Sequence, residues 1–368
     1  APVTTLGYGG GVEAGEVIRD AGGLARAEID FAPRAFFEIS RRNLFGKNRS
    51  VNLFGRISPH LTGSGGVASG ASSGATVDFT EYRLLGSFRE PRAFDTGADA
   101  SLTAVVEQQR RASFNFGRKS FIAEAGRRVA SSIGLGGSYQ IQQTKLFDVR
   151  QFDQIAPAEQ LLIDRLFPQV RLSSFSSSIV RDTRDDAVDP GAGGYLSANG
   201  QLAARRIGSE VGLAKSFLTA QAFRALPHTN RIVLAGNARI GIATGFPREV
   251  VRTDEEGGIV IGPDGRPAVD RVEDLPASER FFAGGDTMRG YALDQLGAPG
   301  TIDKNGFPIG GNALLIMNAE LRVPVRGGVG MVGFFDTGNV FARARAFNLG
   351  DLRSAVGVGL RYRSPIGP

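Results

Sequence analysis

The sequence contains no cysteine and no tryptophan, only two histidines, and no long apolar run. Without cysteine there is neither a disulfide framework nor a thiolate metal site. Without an uncharged stretch of about 18 apolar residues, no helix of this chain is expected to cross a bilayer. Ala1 is not followed by a basic start and an apolar core, so no signal peptide is read there. The histidines offer little for acid–base catalysis. His60 follows Pro59 at a strand end, His228 stands in the short turn LPHTN, and no serine sits in a strained Gly-x-Ser-x-Gly turn. No glycine-rich stretch opens a helix behind a strand, which argues against a nucleotide site. The reading is of a protein that is not an enzyme and that takes no cofactor and no metal.

What the chain does have is 51 glycines, 25 phenylalanines and a net charge of +6. A basic balance suits nucleic acid only when the cations cluster on one element beside stacking aromatics. Here the arginines are spread at strand-like spacing, so no nucleic-acid partner is expected; a polar channel or anionic lipid headgroups suit them better. The dominant period is two. In NRIVLAGNARIGI, Ile232, Leu234, Ala238, Ile240 and Ile242 share one face, and Arg231, Asn237 and Arg239 share the other. ALLIMNAELRVPV places Leu315, Met317, Leu321 and Val323 opposite Asn318, Glu320 and Arg322. Such segments are expected at 3–13, 35–44, 49–60, 77–89, 99–111, 114–127, 131–144, 169–182, 194–206, 211–225, 230–243, 311–325, 328–341 and 353–363.

Many of these exceed the usual five or six residues of a soluble strand, and a tilted transmembrane strand needs about nine to eleven. The fold class is therefore all-β, a transmembrane antiparallel barrel; a soluble propeller would repeat at about forty residues, and no such repeat is visible. The connections alternate between short (FGKN, LPHT, VRGG) and long (14–34, the Gly/Ser tract after His60, 145–168 and 244–310), as expected of a barrel with short turns on one side and long loops on the other. DVRQFDQIAPAEQLLIDRLF has helical spacing. RDTRDDAVDPG gathers Asp182, Asp185, Asp186 and Asp189, but without calcium-loop spacing and with Arg181 and Arg184 to offset it. A turn closed by Asp189-Pro190-Gly191 is the plainer account.

FFAGGDTMRGY, NAELRVPV, GFFDTGNVF and VGVGLRYRSPIGP, with RRNLFGKN and RDTRDDAVDPGAGGY earlier and in the same order, resemble the carboxy-terminal barrel of the BamA/TamA family, the bacterial surface antigens. The resemblance covers essentially the whole chain. It implies a barrel of sixteen strands in the bacterial outer membrane, of which about fourteen are visible in this chain. Residues 1–368 would be the transmembrane barrel domain, with the family's periplasmic POTRA domains absent, its last two strands missing, and 244–310 a loop folding into the lumen.

In that family the arginine of this loop meets acidic groups on the inner wall, and Met288, Arg289, Gly290 and Tyr291 match its motif. Strand parity supplies partners independently: Glu320 lies on the polar face of its strand, and Asp336 faces the same way if Met331 and Phe335 face lipid. A guanidinium binds two carboxylates through its fork of donors. Phe281, Phe282, Gly284 and Gly285 are expected to anchor and turn the loop. Taken without the resemblance, a solvated outer loop with one incidental arginine remains the plainer alternative.

The first strand, with Leu6, Gly7, Tyr8, Gly9, Gly10, Gly11 and Val12, has two readings. Its glycines satisfy a packing need, or they make a weak seam that opens sideways and templates another strand. In the family, the first and last strands form a lateral gate, of which this sequence is expected to hold only the first. The implied function is an insertase that folds client barrels. Its implied partners are the lipid bilayer, unfolded outer-membrane proteins, and periplasmic accessory proteins or chaperones. A two-partner-secretion transporter and a passive diffusion channel are the alternatives.

Overall fold

The two-residue alternation becomes antiparallel sheet along nearly the whole chain. A computed structural model of the protein describes residues 3–22, 24–61, 77–111, 114–147, 169–227, 229, 232–252 and 258–362. Its strands are β1 (Val3–Ala21), β2 (Leu24–Leu44), β3 (Arg49–Leu61), β4 (Val77–Glu90), β5 (Ala98–Arg110), β6 (Asn115–Ala130), β7 (Ile133–Phe147) and β8 (Gln169–Asp182). They continue with β9 (Gly193–Ala203), β10 (Leu213–Ala225), β11 (Val233–Gly245), β12 (Pro247–Val251), β13 (Val269–Glu273), β14 (Ala313–Arg326), β15 (Val329–Phe341) and β16 (Arg353–Tyr362). Fourteen of them form one sheet in chain order, β1 to β11 and then β14 to β16, while β12 and β13 make a separate ribbon.

Side-chain direction follows the parity read from the sequence. Leu84, Phe121, Ile179, Ile240, Leu321 and Phe335 are exposed on the convex face, an apolar surface of the kind that faces lipid. Asp336, one residue on from Phe335, is fully buried on the other face. One chain segment shows that the sheet curls around it. Between residues 281 and 293 it touches Phe114 beside β6, Phe217 on β10, Asp336 on β15 and Glu16 on β1. A flat sheet would not bring strands so far apart in order to a single loop. The main hydrophobic cluster accordingly lies inside the curl, where Leu275, Met288 and Leu296 of the loop pack against Leu172, Leu213 and Ile316 of the wall.

Two expectations need correction. Residues 14–34 are not a long loop: they are the continuation of β1 and β2, paired without a break from Val3↔Arg42 to Ala21↔Leu24. The hairpin signal is the Gly-Gly of AGGL, where Gly22 takes φ +68, a value that suits glycine in a tight turn. The segment 244–310 is not free of strands either. It carries the β12–β13 ribbon and isolated bridges at Ile261↔Pro267, Phe281↔Gly311 and Ile302↔Pro308, so its backbone groups are largely satisfied within the fold. The Gly/Ser tract, the helical spacing after 147, His228 and the residues after Tyr362 lie outside the described residues.

Candidate functional site

The site is built on the loop between β11 and β14, and neighbouring side chains send it to different strands of the wall. Phe281 is buried against Phe217 of β10, ring centroids 6.1 Å apart, with the Lys215 ammonium 5.0 Å above its ring. It lies over Gly241 of β11, where a Cβ would meet the ring at 2.7 Å. Phe282, the next residue, points the other way and meets Phe114 edge-on at 6.5 Å. Alternation within an extended dipeptide thus fastens the loop at two places on the wall, beside β6 and at β10. The chain then turns at Gly284 and Gly285, φ +127 and +56. Gly284 tolerates no side chain, since a Cβ would stand 2.0 Å from the Ala292 carbonyl oxygen. The turn is closed by Thr287, whose hydroxyl accepts from the Gly284 N–H at 2.9 Å, and by the Gly285 N–H donating to the Tyr291 carbonyl at 2.8 Å.

Met288 is fully buried and Tyr291 packs at the edge of the same cluster, which fixes Arg289 between them. Arg289 donates from Nε and Nη2 to the two oxygens of Asp336, each at 2.7 Å, and from Nη1 to Glu320 at 2.7 Å. Its backbone N–H adds a bond to Asp336 at 3.1 Å. The bond to Asp336 raises the arginine's pKa against the opposing effect of burial, so the cation is secured. Gly290, φ +82, lets this turn pass close to β16, where an added Cβ would approach the Ala355 Cβ at 3.2 Å. Glu320 also receives Arg322 Nε at 3.0 Å. The arrangement is a charge-assisted clasp from loop to wall with a bidentate core. It ties the loop to β14 and β15.

Sequence reading missed several members of this constellation. Phe334 lies under the guanidinium, 3.8 Å from Cζ to ring centroid, a cation–π contact. Its ring in turn occupies the space over Gly357 of β16, where a Cβ would come within 2.5 Å. The signal was present: Phe334 precedes Asp336 by two, hence shares its face, and Gly357 is its cross-strand partner. Glu279 is buried and accepts from Gln142 of β7 at 2.9 Å, while Lys215 donates to its carbonyl at 3.0 Å. Asp274, fully buried, accepts from Arg205 and from the Gly212 N–H and lies 3.1 Å from Arg248. Glu16 of β1 accepts from the Leu293 N–H at 2.7 Å, and Ile18 packs on Phe307. These contacts join residues 137, 62 and 277 positions apart, beyond the reach of any local pattern.

On the first strand the glycines separate into two kinds. Gly9 is filled by its neighbour: a Cβ there would meet the Phe36 ring at 2.6 Å. Gly11 has nothing within 4 Å, and Gly7 and Gly10 meet only ordinary contacts. Leu6, Tyr8 and Val12 are exposed, and among the described residues β1 pairs only with β2.

The acidic turn after β8 is internally satisfied. Asp185 accepts from the Gly191 and Ala192 N–H groups at 2.9 and 3.0 Å, which lower its pKa, and Asp189 reaches Arg361 of β16 at 3.0 Å.

A family profile described as the Omp85 superfamily domain matches residues 43–368. Among solved structures, the chain resembles BamA from Haemophilus ducreyi lacking POTRA domains 1–3, at 15% identity and a TM-score of 0.68, covering 99% of this chain and 65% of that one. It is also similar to CdiB from Acinetobacter baumannii, at 12% identity and a TM-score of 0.46, covering 97% of this chain and 60% of that one. The chain thus spans somewhat less than two thirds of the length of either structure.

Proposed function

Because the chain belongs to the Omp85 superfamily and is a β-barrel protein of the bacterial outer membrane, we propose that it assembles other barrels there, with β1 as the strand that admits them. The observation that carries this reading is the first strand. It has 19 residues, and four of its five glycines, Gly7, Gly10, Gly11 and Gly15, meet no close contact that would call for a missing side chain. When such a seam opens, the row of N–H and C=O groups it uncovers can template another strand by β-augmentation. Few side chains lock its pairing, so exchange of partners is cheap. Nothing in this mechanism needs catalysis; the free energy comes from the client's own folding. Unfolded outer-membrane proteins are the proposed clients and the lipid bilayer the setting, with periplasmic accessory proteins or chaperones delivering them. The lumen clasp keeps the interior occupied while the seam works, and 1–368 acts as one barrel domain with 244–310 as its internal loop.

Transport of a polypeptide through the lumen, or passive diffusion, is disfavoured by the loop, which is tied to the wall beside β6 and at β10, β15 and β1. The test is reconstitution. Liposomes containing the protein should speed the folding of an unrelated urea-unfolded barrel, and Gly10→Val/Gly11→Val should slow that folding while leaving the protein itself folded. No acceleration over empty liposomes refutes assembly; high conductance or release of a translocated chain favours the transporting alternatives.

A further inference from the structure

A row of side chains on the inner wall carries charge that the lumen clasp does not use. Arg56 of β3 stands directly across from Arg83 of β4, Arg83 from Glu107 of β5, and Glu107 from Arg118 of β6. All lie on the face shared by Ser58, His60 and Glu81, and His60 and Glu81 border an interior cavity of about 420 Å³ with Gly285 and Leu293 of the loop. The row thus carries three guanidiniums and one carboxylate, with Glu107 between Arg83 and Arg118. Glu107 is buried and lies 3.7 Å from Arg83 Nε and 3.6 Å from Arg118 Nη1, while also accepting from Gln109 at 3.3 Å.

Arg56 gets no share of it. Among the described residues no carboxylate pairs with Arg56, and its Nε is buried without a hydrogen-bond partner, as is Nε of Arg118. The nearby acids are engaged with other groups or form no ion pair with Arg56. Glu81 lies 3.7 Å from His60 and accepts from the Arg110 N–H, Glu13 pairs with Arg34, and the diagonal neighbour Glu38 is exposed. Like charges directly across a strand pair destabilise a sheet, so this placement is a net expense within the protein unless something anionic joins it. Arg83 remains accessible, its side chain 43% exposed.

We propose that Arg56, Arg83 and Arg118 form an oxyanion-binding row on the inner wall, taking a carboxylate or phosphate group between the Arg56 and Arg83 guanidiniums. The forked donors of two arginines match a planar carboxylate or a phosphate edge. Glu107 holds Arg83 and Arg118 in place from the far side and keeps the row from repelling itself apart. Interior placement weakens salt screening relative to the outer surface.

The test is titration calorimetry on the full chain folded in a zwitterionic detergent, with sodium phosphate, sodium acetate and sodium chloride as separate probes at matched ionic strength. Phosphate should bind saturably and acetate should compete for the same site, whereas chloride should not. Arg56→Gln and Arg83→Gln should each weaken phosphate about tenfold, the equivalent of one charge-assisted hydrogen bond. Arg345→Gln, in the exposed β15–β16 connection, should change nothing. Heat-modifiable migration on gels checks folding, and Arg56→Lys, which keeps the charge but loses the fork, replaces Arg56→Gln if that variant fails to fold. Phosphate bound equally well by the Arg56 variant, equal loss in the Arg345 variant, chloride as effective as phosphate, or no saturable binding overturns the proposal.

Discussion

Replacing Arg289 with alanine removes three side-chain hydrogen bonds and a cation–π contact at once, and the consequence is largest at Asp336. That carboxylate is fully buried and would keep only neutral partners, the 3.1 Å bond from the residue-289 N–H and the Asn318 side chain. Removing one partner of a buried pair is destabilising by about 3–5 kcal/mol. The lower end applies here, because the Arg289 side chain is one-third exposed and Glu320 retains Arg322. We expect a loss of about 3 kcal/mol, or about two orders of magnitude in the unfolding equilibrium. The assay is guanidinium unfolding of the protein in liposomes, read by heat-modifiable gel migration, with unfolding rates compared where refolding is incomplete. Glu320→Gln should lower stability by about 1 kcal/mol, since that side chain is partly exposed and keeps a second arginine. Asp336→Asn in the Arg289→Ala background should restore part of the loss, because the orphaned charge is gone. Single variants as stable as the parent, with a coupling below about 0.5 kcal/mol in the double-mutant cycle, would refute the clasp.

Gly284→Ala should disorder the loop, because its Cβ would overlap the Ala292 carbonyl; limited proteolysis should cut within 284–294 faster than in the parent. Gly9→Val should destabilise the β1–β2 hairpin by displacing the Phe36 ring, while Gly11→Val, with open space around it, should leave thermal stability unchanged; equal effects would erase the distinction between filled and empty glycines. The turn after β8 should respond to acid. The Asp185 pKa is lowered by the Ala192 and Gly191 N–H bonds, so its contribution is complete above the ordinary carboxylate value near pH 4 and is lost as pH falls through the lowered value. Amide exchange of Gly191 and Ala192 should accelerate over that window in the parent and be fast throughout in Asp185→Ala. Because the chain has no native cysteine, Glu16→Cys/Leu293→Cys gives a clean cross-linking pair. Oxidation should stop client folding if β1 must leave the loop, and undiminished activity would show that it need not.

Much of this protein is written in its alternation. A period of two fixes which face of each strand is apolar, because successive side chains must point to opposite sides. That suffices to place Asp336 and Glu320 inside and Phe335 outside; that Arg289 of the loop meets such acids was implied by the family resemblance. Local chemistry also marks the turn at Gly284–Gly285, where no side chain fits. What alternation does not encode is which distant strands share the interior. The brace of Glu279 between Gln142 and Lys215, the burial of Asp274 among Arg205, Arg248 and the Gly212 amide, and the latch of Glu16 on Leu293 exist only once the sheet has curled. The same holds for the crowding of Arg56 against Arg83. Each arginine is unremarkable on its own strand, and only the register of the β3–β4 pair sets them opposite each other. The sequence by itself determined most of the strands, their faces and the loop's turning points, since these depend on near neighbours, but not the full length of β1 and β2 or the β12–β13 ribbon. The tertiary structure decided which charges meet, since those meetings depend on strand order, register and curvature.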